Sequence, residues 1–113
     1  MSESVKIASL NVQGLGDSRK RKDVFSYIRD KKYNIYFLPD THFTDRDYSI
    51  IRSHWGYECY LNNFGSQSRG VAILINNNFD FKFHSFEKDD CGNLIIVHCI
   101  ISNKKIGLHL RSE

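Results

Sequence analysis

From Tyr57 to Leu110 the chain is a succession of strand-like runs: YECYLNN, RGVAILIN, FDFKFHSF, GNLIIVHCII and KIGLHL. The connectors EKDDCGN and SNKK have hairpin length. Phe79, Phe81 and Phe83 alternate with Asp80, Lys82 and His84, a period of two that sets the rings on one face of a strand. Strands in such number must pair with one another and be covered on at least one face. The first half supplies different material. SVKIASLNV reads as a strand, with Leu10 and Val12 on one face and Asn11 on the other. QGLGDS breaks it, and DSRKRKDVFSYIRDKK reads as a helix capped by Asp17 or Ser18, with Val24, Phe25 and Ile28 on its apolar stripe. YNIYFL is a second strand, apolar on both faces and therefore central. TDRDYSIIRSHW reads as a short helix or an irregular segment, with Thr44 or Asp45 as its cap. The order strand, helix, strand, helix, then a meander predicts a layered α/β fold with antiparallel pairs. KIGLHL at its end leaves an open sheet edge.

Composition narrows the class. A chain of 113 residues suits one domain, and 41% hydrophobic with 26% charged residues excludes a disordered tail. No apolar run approaches the ~20 residues of a membrane span, and the N-terminus lacks a secretory pattern. The expectation is an intracellular protein, cytoplasmic or nuclear, without a membrane or an evident obligate protein partner. A net charge of +3 is compatible with nucleic acid. Cys59, Cys91 and Cys99 contain no C-x-x-C pair and read as free thiols in or near strands. The basic run Arg19–Lys22 starts a helix, where the macrodipole disfavours cations; it reads as a solvated face or a phosphate contact. Gly70 reads as a close backbone approach or a bulge; Trp55, Tyr57 and Tyr60 could stack on bases but read as core aromatics flanking strands.

Candidate chemistry sits in YFLPDTHF. Pro39 cannot donate to a sheet ladder, so the strand stops there and Asp40 lies just past its end. Asn11 lies near the end of the other strand. Polar residues at adjacent strand ends are where open α/β sheets place a ligand crevice. A carboxylate there can hold Mg²⁺, and an amide can hydrogen-bond a phosphate or a metal-bound water. An Asp after a Pro also serves as a turn or cap residue, and spacing alone leaves both readings open. His42 reads as a packing or supporting histidine.

The stretches IASLNVQGL, RKRKDVFSYI, IYFLPDTHF and SRGVAILI together resemble the N-terminal half of the endonuclease/exonuclease/phosphatase superfamily. The nearest resemblance is to the apurinic-type endonuclease domain of LINE-like, non-LTR retrotransposons, whose stretches read S-L-N-V-N-G-L, L-Q-E-T-H and G-V-A-I-L. Order and spacing agree up to about Ile106. The resemblance implies a four-layered α/β sandwich, here only its N-terminal half, and hydrolysis of DNA phosphodiesters with Mg²⁺ or Mn²⁺. Asn11 then corresponds to the family's active-site Asn and Asp40 to its metal-binding Glu. Thr41 and His42 correspond to the T-H after that Glu, and Gln13 to a second metal-associated position. Asn11 and Asp40 are expected to converge at one end of neighbouring strands, with His42 and Gln13 beside them.

The departures are equally specific. Asp40 is one methylene shorter than Glu, withdrawing its oxygens by about 1.5 Å, and Pro39 replaces a Gln. The family's N-I-Y-G-P-N, G-D-F-N and S-D-H motifs have no counterpart, and HLRSE does not match. The sequence reading is therefore residues 1–113 as one partial domain, truncated at its C-terminal side and inactive alone. The alternatives are a non-catalytic remnant or weak nucleic-acid-binding module, and another phosphoesterase branch such as a phosphoinositide or lipid phosphatase.

Overall fold

The computed structural model describes residues 4–112. Strand β1 (Ile7–Ser9) leads through a loop into helix α1 (Ser18–Asp30), followed by β2 (Ile35–Pro39). A 3-10 turn (Asp45–Asp47) runs into α2 (Tyr48–Trp55). Strands β3 (Cys59–Asn62), β4 (Val71–Ile75), β5 (Phe81–Lys88), β6 (Leu94–Ile101) and β7 (Lys104–Arg111) complete the described chain. Among the described residues the strands form two sheets, ordered β1-β2-β4-β3 and β5-β6-β7. β1 and β2 are parallel with α1 as their crossover, and β4 is antiparallel to both β2 and β3.

The expected five-strand meander is corrected by this order. β4 crosses past β3 to pair with β2, and only β5-β6-β7 is a meander. Every residue of β4 is buried, so both of its edges and both of its faces need a neighbour. An edge place next to β3 alone would leave one ladder of buried backbone groups unpaired.

Two cores divide the work. Phe25 and Ile28 of α1 and Ile51 and Trp55 of α2 pack on Tyr36, Leu38, Leu61 and Leu74 of the first sheet. Trp55 meets Phe25 and Tyr36 edge to face at 5.7 and 6.0 Å between ring centroids, and its indole N–H donates to the Ile75 carbonyl at 3.0 Å. The second core lies between the sheets, where Ile35, Val71, Ile73 and Ile75 face Ile95, Val97, Ile101 and Leu108. The result is a helix layer, a first sheet and a second sheet. The sheets are also joined by polar groups. The Asn62 amide donates to the Leu94 carbonyl at 2.7 Å and to Asp89 Oδ1 at 3.0 Å. Asp89 Oδ1 accepts further from the N–H groups of Cys91 and Asn93. Burial works against its ionisation, but these donors prevail and hold the carboxyl below its ordinary range.

Three local expectations change. β1 ends at Ser9 rather than Val12, because the Asn11 side chain accepts the Gln13 N–H at 3.1 Å and turns the chain. The Leu10 N–H still donates to the Phe37 carbonyl at 2.9 Å, so the pairing fades rather than breaks. In β5 the period of two fails between Phe83 and Ser85, where the register with β6 shifts and places Phe86 beside Phe83. The basic run is not a uniformly solvated face. Arg21 is only 3% exposed and donates to the carbonyls of Leu15 and Gly16, while Lys20 donates to the Val12 carbonyl at 2.9 Å. Their charges are spent on the loop after β1. The cysteines are free thiols, two buried in strands and Cys91 exposed in a turn; burial pushes Cys59 up to about 11. No helix among the described residues is long and apolar enough to cross a membrane.

Candidate functional site

Three segments meet at one end of the sandwich. Because β1 and β2 are parallel, the loops after Ser9 and Pro39 emerge side by side. Because β4 is antiparallel to β2, with Pro39 opposite Val71, the loop before β4 arrives at the same end. The main chain stitches them together. Gly14 N–H donates to the Asp40 carbonyl at 2.9 Å and Leu15 N–H to the Thr41 carbonyl at 2.7 Å. Thr41 N–H donates to the Gly70 carbonyl at 3.0 Å and His42 N–H to the Arg69 carbonyl at 2.9 Å. PDTH is thus held between QGL on one side and SRG on the other.

This clasp needs its glycines. Gly14 (φ +88) lies against the His42 ring, and a Cβ there would stand 2.5 Å from Nδ1. Gly70 (φ +94) lies against Thr41, and a Cβ would stand 2.6 Å from Oγ1. Asp40 and His42 themselves adopt left-handed backbone, at φ 59 and 60. Two such residues in three make a tight zigzag that only the surrounding hydrogen bonds keep in place. Thr41 Oγ1 is buried without a hydrogen-bond partner, a cost carried inside this turn.

The zigzag folds the His42 ring back onto the carboxylate. Its Nε2–H donates to Asp40 Oδ1 at 2.7 Å, with the Asp40 side chain 43% exposed and that of His42 21%. Asp40 is therefore not a helix cap; Thr44 begins the following 3-10 turn, with its hydroxyl donating to Asp47 at 2.9 Å. Asn11 and Asp40 line one open cavity of about 490 Å³ together with Ser9, Ser68, Arg69 and Arg111. Gln13 stands beside it with left-handed backbone (φ 51), its N–H bound to Asn11 Oδ1. Of the four residues singled out in the sequence, Asn11 and Asp40 line the cavity, while Gln13 and His42 are bonded to them from outside its lining.

Sequence reasoning missed the two arginines of this cavity. Arg69 was legible only as the residue before a buried strand. Arg111 reaches the cavity through the register of β7 on β6, where it pairs with Leu94, and no local pattern announces that.

The same geometry tests the fit of a divalent cation. Mg²⁺ takes hard oxygens, one or two of them carboxylate, with waters and phosphate oxygens filling an octahedron. Asp40 supplies one carboxylate, with Oδ1 engaged by His42. Asn11 Oδ1 is turned to the Gln13 N–H. Among the described residues no group of three His, Cys, Asp or Glu side chains is disposed to hold a metal ion. The residues present offer a single anchor and do not make a metal site on their own.

Two sheets packed face to face, with helices over the first, define a fold of the endonuclease/exonuclease/phosphatase type. No family model matches the sequence. Solved structures do resemble the fold. Humanized TDP2 from D. rerio, carrying 14 mutations, superposes with a TM-score of 0.67 at 20% identity, over 93% of this chain and 48% of that one. TDP2 from C. elegans gives 0.62 at 28% identity, over 93% of this chain and 34% of that one. An AP endonuclease from Archaeoglobus fulgidus gives 0.59 at 24% identity, over 92% and 40%. The chain thus spans about half, or less, of the length of each of these proteins.

Proposed function

We propose that residues 1–113 are one partial domain, the N-terminal part of a DNA-directed phosphodiesterase of the kind carried by non-LTR retrotransposons, and that this chain by itself does not cleave DNA. The observation that carries the reading is the junction of IASLNVQGL, PDTH and SRGVAILI around one cavity, with Asn11 and Asp40 on its wall. An AP endonuclease among the similar folds supports a nucleic-acid substrate. In this reading the cavity takes a backbone phosphate, Asn11 hydrogen-bonds it, and Asp40 with His42 fixes the polar wall opposite. A Mg²⁺ or Mn²⁺ requirement belongs to the complete domain, to which the described residues offer Asp40 alone. General-base chemistry needs a group within hydrogen-bond reach of the attacking water. Among the described lining residues only the Asp40 carboxylate has that character, and it is already committed to His42. A cytoplasmic or nuclear location goes with the same reading.

The test is supercoiled plasmid incubated with the 113-residue chain and Mg²⁺ or Mn²⁺, beside a short labelled duplex in a binding titration. The expected outcome is no open circle beyond an Asp40→Ala control, with weak duplex binding that fades as salt rises. Nicking above that control overturns the inactivity. No duplex binding even at about 50 mM salt overturns the nucleic-acid assignment.

A further inference from the structure

Resting on the reading of this cavity as a phosphate-ester pocket, we infer that it binds a terminal phosphate group directly, through Arg69 and Arg111, without a divalent cation. The donors on its wall are arranged for an anion. Asn11, which lines the cavity, turns its carbonyl oxygen to the Gln13 N–H, and its amide N–H₂ has no acceptor among the described residues. A cation would require the opposite orientation. Arg69 and Arg111 both line the cavity, one from the loop before β4 and one from the end of β7, so they flank it from different sheets. Among the described residues the ion pairs are His42–Asp40 and His98–Glu87, and neither arginine belongs to them. The Arg69 guanidinium rests on the Phe64 ring, 4.5 Å from its centroid, which limits its freedom before any ligand arrives.

Charge decides the ligand. Two arginines and one carboxylate line the cavity, and that carboxylate is tied through Oδ1 to His42. The wall is therefore net positive by one unit. A terminal phosphate carries about −1.5 to −2 charges at neutral pH and three acceptor oxygens, against −1 for an internal diester. Guanidinium forks match those oxygens in pairs. The hydroxyls of Ser9 and Ser68 add neutral donors on the same wall. A cavity of about 490 Å³ has room for a nucleotide rather than a lone ion.

The experiment is an amide chemical-shift titration of the labelled 113-residue chain in EDTA. Inorganic phosphate is the first probe; a 5′-phosphorylated and a 5′-hydroxyl trinucleotide are the second and third. Shifts centred on Ser9, Asn11, Ser68 and Arg69 are expected. The 5′-phosphorylated probe should bind at least about fivefold tighter than its hydroxyl counterpart, and Arg111→Ala should weaken it about tenfold. Arg69→Ala serves as the second variant, and the dispersion of each variant's spectrum reports whether it folds. Adding Mg²⁺ should leave the affinity unchanged. Binding seen only with Mg²⁺, or affinity unchanged in both folded arginine variants, overturns the inference. If the phosphate probes bind but duplex DNA does not, the inference stands and the DNA assignment above falls. If duplex DNA binds but neither phosphate probe does, the reverse holds.

Discussion

Gly14 and Gly70 each give up a side chain so that one residue of the turn between them can sit down. Their backbones occupy the left-handed region, where any L side chain is strained. A Cβ at Gly14 would also press on the His42 ring, and one at Gly70 on the Thr41 hydroxyl, which has nowhere to retreat because Thr41 is fully buried. Gly70→Ala and Gly14→Ala should therefore each cost about 1–3 kcal/mol. Gly65→Ala, with open space around its Cβ and no left-handed φ, should stay within about 0.5 kcal/mol of wild type. Urea unfolding of the three variants measures this, and equal midpoints would refute it. The same two glycines explain why three motifs, each weak alone, belong together in the sequence. QGL, PDTH and SRG share no local pattern, but each supplies backbone that another needs. The position of Asp40 was legible from Pro39, which has no N–H to continue the ladder. The His42–Asp40 bond was not, because it depends on two left-handed residues that no composition rule requires.

At the level of elements, Arg21 fastens the helix layer to the loop after β1. Its guanidinium donates to the Leu15 carbonyl at 3.0 Å, and its Nε–H to His54 Nδ1 of α2 at 3.1 Å. The clasp requires a neutral imidazole, because a protonated His54 has no acceptor to offer. Burial, with help from the charges of Arg21 and Lys22, lowers the His54 pKa below its ordinary value of 6.5. The unfolded chain therefore binds the proton better than the folded one. The contribution is complete above about pH 6.5 and declines as pH falls below it. Melts from pH 8 to pH 5 should show wild type losing stability over this window, and His54→Gln should flatten that part of the profile. A variant with an unchanged slope would remove His54 as the cause. Elements themselves were largely legible: α1 and β2 fall where apolar spacing places them, and β5, β6 and β7 follow their turn signals. The order of β4 and β3 was not, because strand patterns report which faces are buried and not which neighbour lies beside them. Arg21 was misread for a related reason. A basic run looks solvated until the tertiary fold brings carbonyl groups to it.

For the whole molecule, the asymmetry between the two sheets is the dominant physical fact. The first sheet has helices on one face and the second sheet on the other. The second sheet buries Ile95, Val97, Cys99 and Ile101 inward, while Leu94, Ile96 and Ile100 alternate onto the face away from the first sheet. No helix among the described residues packs on that outer face. A hollow of about 480 Å³ opens there, lined by Ile100 with His84, His98 and Lys105. At the edge of the same sheet Phe83 and Phe86 are 41% and 42% exposed, although Phe83 stacks on Tyr60 at 4.8 Å. An isoleucine left in water forgoes about 1.5–3 kcal/mol relative to full burial, and contiguous apolar surface on an open sheet invites self-association. The 113-residue chain should accordingly bind a hydrophobic dye and shift from monomer toward dimer or higher species as its concentration rises. Sedimentation velocity across a hundredfold concentration range reads this directly. Ile96→Lys with Ile100→Lys should restore the monomer and reduce dye binding while leaving the melting temperature nearly unchanged, because neither side chain belongs to the core between the sheets. A wild-type chain that stays monomeric and dye-free throughout would show that this face is satisfied as it stands.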